Sequence, residues 1–150
     1  MNLQTILVPL DFSDVSSRVV DYAVSMAKSF GGRVVLLHVA EPEPDFVGFD
    51  AGPQVVRTVT AHDIRTEHRQ LEEYKHRLAE SGVEVTAMHI QGPLTDKVLQ
   101  QAEEQQADLI VMGSHGHGAL YRLLVGSVTA GVVRGAKCPV LVVPAVEGKA

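Results

Sequence analysis

A chain of 150 residues with 45% hydrophobic side chains is one domain of ordinary size, residues 1–150, able to bury roughly 70% of its unfolded surface without a disulfide or metal. Lys and Arg number 13 against 18 Asp and Glu, and the net charge of -5 argues against a nucleic-acid binder, so an anionic ligand has to be held by local geometry. The lone cysteine, Cys138, excludes an internal disulfide, no apolar run approaches the roughly 18 residues of a membrane span, and the Met1 end has no basic region leading into a long apolar one, so a cytoplasmic chain with no nucleic-acid or membrane partner is expected.

Short apolar runs alternate with longer amphipathic ones. Ile6 to Val8 predicts a first strand ending at Pro9, and Asp14 to Phe30, with Val20, Ala23, Val24 and Ala27 at three- and four-residue spacing, predicts a helix stopped by Gly31-Gly32. Val34 to Val39 is continuously apolar, as a strand buried on both faces is. Ile64, Leu71, Tyr74 and Leu78 mark a second helix ended by Gly82. A third strand, Val83 to Ile90, precedes the Gly92-Pro93 break and a helix carrying Leu94, Val98 and Ala102. Leu109 to Met112 gives a fourth strand, Gly126 to about Ala136 a helix with Val128, Val132 and Val133, and Val140 to Val143, between prolines, a fifth strand. Strands separated by right-handed crossovers predict a doubly wound, Rossmann-like α/β domain with a parallel five-stranded sheet and helices on both faces. In the common order 3-2-1-4-5 the connections after strands one and four leave in opposite directions, and a crevice opens at the strands' carboxyl ends beside Asp11 and Gly113.

The pattern with the most chemical content is Gly113, Gly116, Gly126 and Ser127, spaced G-x2-G-x9-G-S from the end of the fourth strand. Gly113 permits a positive-φ exit from the strand, and Gly116 permits close approach of backbone to a phosphate. At the helix start, the amides of Gly126, Ser127, Val128 and Thr129 and the helix dipole attract anionic oxygens, with the Ser127 hydroxyl beside them. Taken singly, the same residues read as loop-shaping glycines and a capping serine. A Walker loop is excluded because no lysine stands between Gly113 and Ser127, where Arg122 is the one fully charged side chain. A dinucleotide fingerprint is excluded because Pro9 to Ser13, after the first strand, holds no glycine.

Asp11 has two ligand roles, accepting hydrogen bonds from ribose hydroxyls or helping to hold a divalent metal beside phosphates, and a competing role as a turn or capping residue. Ribose is the preferred reading. His115 and His117 alternate in a loop with no third and fourth metal ligands evident, so they read as solvent-facing or phosphate-donating, and no metal site is assigned. His62, His68 and His76 read as a solvated helix surface, and Cys138, without a histidine partner, as a packed thiol with no chemistry. The apolar strand Val140 to Val143 falls at a sheet edge, where pairing with a second copy is expected. Glu41 to Val56, rich in proline and glycine, reads as a long connection, either a lid or a plain surface insertion.

Together Ile6 to Ser13, Leu37 to Val39, Val111 to Gly116, Gly126-Ser127 and Pro139 to Val143 resemble the universal stress protein domain nearly end to end. In that family G-x2-G-x9-G-[ST] marks the ATP-binding branch, and every motif position is filled here. The resemblance implies the adenine nucleotide alpha hydrolase-like variant of the fold and a homodimer through Val140 to Val143. It implies an ATP site in which Pro9, Leu10 and Asp11 line the end of strand one and Val39 meets adenine through its backbone. Met112 and Gly113 then lie near adenine and ribose, and Gly116, Gly126, Ser127 and Val128 surround the phosphates, which bring any Mg or Mn with them. The chain has Leu10 where the family usually has a small residue, and Phe12 where glycine is frequent. With no general base, catalytic lysine or carboxylate pair in view, the expected function is nucleotide-dependent regulation of a stress response, with no catalytic residue assigned. The alternatives are a slow ATPase or self-phosphorylating enzyme using Ser127 or Thr129, and a nucleotide-free structural dimer.

Overall fold

The computed structural model describes residues 2–40, 53–114 and 126–145, with residues 53–64 as backbone only. In chain order the elements are β1 (Thr5–Pro9), α1 (Ser16–Phe30), β2 (Arg33–Ala40), α2 (Pro53–Ala79), β3 (Val85–Gln91), α3 (Leu94–Glu104), β4 (Leu109–Gly113), α4 (Ser127–Gly135) and β5 (Val140–Val143). All strand pairs are parallel and the order is β3-β2-β1-β4-β5, as the alternation predicts. β1 is central, with Ile6 opposite both Val34 and Leu109, so Ile6, Leu7 and Val8 are fully buried.

Because side chains alternate along a strand, the continuously apolar runs feed two cores, one on each sheet face. Ile6, Val8, Val34, Leu36 and Val111 pack with Val19, Val20, Ala23 and Ala27 of α1 and with Leu71 and Leu78 of α2. Leu7, Val35, Leu37, Ile110 and Met112 pack with Val98 and Ala102 of α3 and with Val132 of α4. Two helices therefore cover each face.

Element ends differ from the sequence expectation where side chains or turns intervene. α1 begins at Ser16 instead of Asp14, because Asp11 accepts from the Ser13 amide and Ser13 from the Ser16 amide, which makes the intervening residues a turn. β3 starts at Val85 instead of Val83, although Glu84 still accepts from the Val34 amide at 2.9 Å. The expected connection Glu41 to Val56 is shorter, since α2 begins at Pro53; a proline's fixed φ and missing N–H suit the first helical position. Residues 41–52 of that connection lie outside the described residues. At the end of α1, Gly31 takes φ 69° and its amide and that of Gly32 both return to Ala27, the helix stop that the glycine pair predicts.

Candidate functional site

The connections after β1 and β4 run to opposite faces of the sheet, to α1 and α4, and a cleft of about 510 Å3 opens at the strands' carboxyl ends there. Of the sequence-predicted residues, Pro9, Leu10, Asp11, Val39, Met112, Gly113, Val128 and Thr129 line it. Gly126 and Ser127 sit at the start of α4 beside those lining residues, with Ser127 exposed. His115, Gly116, His117 and Arg122 lie outside the described residues. The cleft is also lined by Val15 just ahead of α1, Ser16 and Val19 of α1, Leu37 of β2, and Leu94 and Val98 of α3, none of which the sequence reading assigned to the site. Their signal was the topology itself: α1 and α3 both flank the end of β1, so the faces of their first turns become walls.

The walls are mainly aliphatic, and the polar groups are few and placed. Asp11 is held by its neighbours: its Oδ1 accepts from the Ser13 amide at 2.9 Å and from Ser16 Oγ at 3.4 Å. The turn reading of Asp11 and its place in the cleft are thus both realised. The carboxylate is fixed in position by the same contacts that start α1. Between Asp11 and Ser13, Phe12 takes φ 61°, a left-handed conformation that favours glycine, and its ring lies 4.7 Å from that of His38 and 6.2 Å from that of Tyr74. Ring packing compensates for the backbone cost.

On the opposite side, three contacts fasten the ends of the glycine loop. Ser114 donates its amide to Val143, Gly126 donates its amide to Ser114, and Thr129 Oγ1 donates to the Gly113 carbonyl at 2.8 Å. Two expectations change accordingly. Gly113 closes β4 opposite Val143, and the positive-φ glycines among the described residues are Gly31, Gly82 and Gly92, so Gly113 remains extended instead of turning out of the strand. The Gly126 amide is used by Ser114, which leaves Ser127, Val128 and Thr129 as the first-turn amides ahead of the first intrahelical bond, Ala130 to Gly126. Thr129 is only 3% exposed, and its hydroxyl is spent on the strand.

Outside the cleft, His68 and His76 are exposed on α2, as expected of a solvated face; the His62 side chain lies outside the described residues. Cys138 packs against the core beside α3 and α4, and burial pushes its thiol pKa up, with the nearby Asp108 charge adding to it; a hydrogen bond from its own backbone pulls the other way. β5 lies at the sheet edge with Val140, Leu141 and Val142 half-buried. Among the described residues no helix is long and apolar enough to cross a membrane.

The universal stress protein family model matches residues 2–144. Universal stress protein MJ0531 of Methanocaldococcus jannaschii is 35% identical over 139 residues, covering 92% of this chain and 80% of that protein. The solved structure of MJ0577, from the same organism, superposes with a TM-score of 0.87 at 26% identity, covering 99% of this chain and 100% of that one. A universal stress protein solved in complex with cAMP superposes with a TM-score of 0.70 at 27% identity, covering 95% and 98% of the two chains. With residues 2–144 matched by the family model and the whole fold superposing on solved members, the chain belongs to the universal stress protein family.

Proposed function

We propose that the cleft binds ATP and that its occupancy regulates a stress-response protein, in the cytoplasm and as a homodimer. The observation that carries this reading is the division of one cleft into two chemistries. Leu37, Val39 and Met112 offer an apolar bed for a base, while the first turn of α4 presents amide donors beside Val128 and Thr129. Asp11, held by Ser13 and Ser16, stands between them as an oriented acceptor for ribose hydroxyls. Gly116 and His115 are assigned to the phosphate side from the motif, and Mg or Mn arrives with the phosphates, since no lysine or arginine is among the described residues that line the cleft. The relative solved with cAMP supports an adenine nucleotide in this family. Val140 to Val143, at the sheet edge with its outer side unpaired within the described sheet, is the strand through which two copies join.

Binding is preferred over turnover because a regulator needs only different affinities for nucleotide in two conformational states. Calorimetric titration with ATP and Mg2+ tests the reading, with Gly126→Val as the diagnostic variant. Gly126 has φ -63° and ψ 159°, values that valine adopts readily, so a lost affinity reports a blocked phosphate approach instead of a strained backbone. A weakening of about tenfold or more, roughly 1.4 kcal/mol, is expected. No binding by the unaltered chain identifies a nucleotide-free structural dimer, and unchanged affinity in Gly126→Val removes the cradle from the proposal. Metal-dependent phosphate release that disappears in Asp11→Ala identifies an ATPase.

A further inference from the structure

A second cluster of chemistry lies outside the cleft. The β2–β3 register sets His38 opposite His89 on one sheet face, and Glu67 of α2 reaches both. His38 Nε2 is 3.0 Å from Glu67 Oε2, and His89 Nε2 is 3.5 Å from the same oxygen. One ligand atom from each residue lies within 4.8 Å of the others. None of the three lines the nucleotide cleft.

The pairing is not an ordinary hydrogen-bonded one. Both Nε2 atoms are buried and neither makes a hydrogen bond among the described residues, although both face a carboxylate oxygen. His38 is 6% exposed, and its Nδ1 lies 2.8 Å from the Leu10 carbonyl. A carbonyl only accepts, so Nδ1 carries the proton and donates; in the neutral ring Nε2 is then a lone pair 3.0 Å from Glu67 Oε2. Lone pair against carboxylate is repulsive. A cation between them reverses the sign of every term, and Nδ1–H donating to a backbone carbonyl is the arrangement that orients metal-bound histidines.

Two of the three separations match an ion's ligand sphere, and the third, between the imidazole nitrogens, lies within 4.8 Å and closes on binding. Bonds of about 2.0–2.1 Å in tetrahedral geometry separate ligands by roughly 3.3 Å, and the two measured nitrogen–oxygen separations bracket that value. Phe12 packs on the His38 ring and gives the site an apolar wall. Glu67, 32% exposed at its side chain, supplies an entrance from solvent and room for a water as fourth ligand. Two imidazoles and one carboxylate favour borderline ions over Mg2+ or Ca2+, which take mainly oxygen. We propose that His38, Glu67 and His89 bind one divalent transition-metal ion, with Zn2+ as the reference ion. This site does not depend on the nucleotide reading.

The test uses the full-length, untagged chain, stripped with chelator and free of added nucleotide. ZnCl2 is titrated by calorimetry, and CoCl2 by the visible absorption of low-coordinate Co2+. One ion per chain is expected, and Glu67→Gln and His89→Asn should each weaken it by about 10- to 100-fold or more. Zn2+ should raise the unfolding midpoint of the unaltered chain and not of the variants. His76→Asn, at the exposed histidine 3.8 Å from Glu80 just past the end of α2, should bind as the unaltered chain does. Should His89→Asn fold poorly, Glu67→Gln, at the half-exposed member, still decides the matter. Absence of stoichiometric binding, or binding that survives both Glu67→Gln and His89→Asn, overturns the proposal.

Discussion

Thr129→Val separates a hydroxyl that serves the fold from one that serves a ligand. The replacement keeps the β-branched shape and deletes only the donor, which now reaches the Gly113 carbonyl at 2.8 Å from a residue 3% exposed. Losing it leaves a half-buried acceptor at the cleft short of a partner, costing about 0.5–1.5 kcal/mol. For a chain of this length each kcal/mol lowers the unfolding midpoint by roughly 2–4 °C, so the ligand-free protein should melt about 1–6 °C lower. The same bond fixes the first turn of α4 against the end of β4, so the amides of Ser127 and Val128 should lose their aim and ATP affinity should fall as well. Thr129→Ser keeps the donor and should recover most of both effects. Differential scanning fluorimetry without nucleotide, paired with ATP calorimetry, makes the comparison. A Thr129→Val protein that melts like the unaltered chain while losing ATP affinity would refute the reasoning, because the hydroxyl would then be acting on the phosphates.

At the far end of the sheet, Asp108 Oδ2 accepts from the amides of Gln4 at 2.9 Å and Thr5 at 3.0 Å, stitching the start of β1 to the start of β4. Asp108→Ala should cost about 1–3 kcal/mol in urea unfolding, seen as a lower midpoint at constant slope, with ATP affinity preserved because the cleft is at the opposite strand ends. Cys138 should alkylate more slowly in the folded chain than in denaturant. Burial raises its pKa, so less thiolate is present at a given pH, and the folded rate should climb only at pH values above the ordinary cysteine range. The linked stability is fully present below the pKa of the unfolded thiol and declines as pH rises from there to the folded value. Equal alkylation rates in the two states would contradict the burial argument.

The strands were legible because a parallel sheet covered on both faces leaves near-continuous apolar runs, and Ile6–Val8, Val34–Val39 and Leu109–Met112 are such runs. Their parallel pairing followed from connection length and handedness, and their order from a common doubly wound topology, which brings Asp11 and Gly113 to one crevice. Less legible was what each polar group does there. That Thr129 spends its hydroxyl on Gly113, and Gly126 its amide on Ser114, depends on how closely α4 docks to β4, a distance no spacing in the sequence encodes.

His38, Glu67 and His89 illustrate the same limit more fully. His38 sits as the one polar interruption of an apolar run, and His89 follows Glu84 and Thr86 in a half-buried third strand, so neither stands out by spacing. Their convergence needs the β2–β3 register, the face shared by residues opposite one another, and the docking of α2, none of them local. Phe12 ties this cluster to the cleft. Its left-handed φ costs about 1–2 kcal/mol where glycine would pay little, yet its ring closes over His38, whose Nδ1 holds the Leu10 carbonyl at the cleft's edge. Covering that ring recovers about 1.5–3 kcal/mol if the phenyl is fully buried, and less at its half-buried position, so the two terms nearly cancel. A phenylalanine at a position suited to glycine is thus tolerated because of the histidine beneath it.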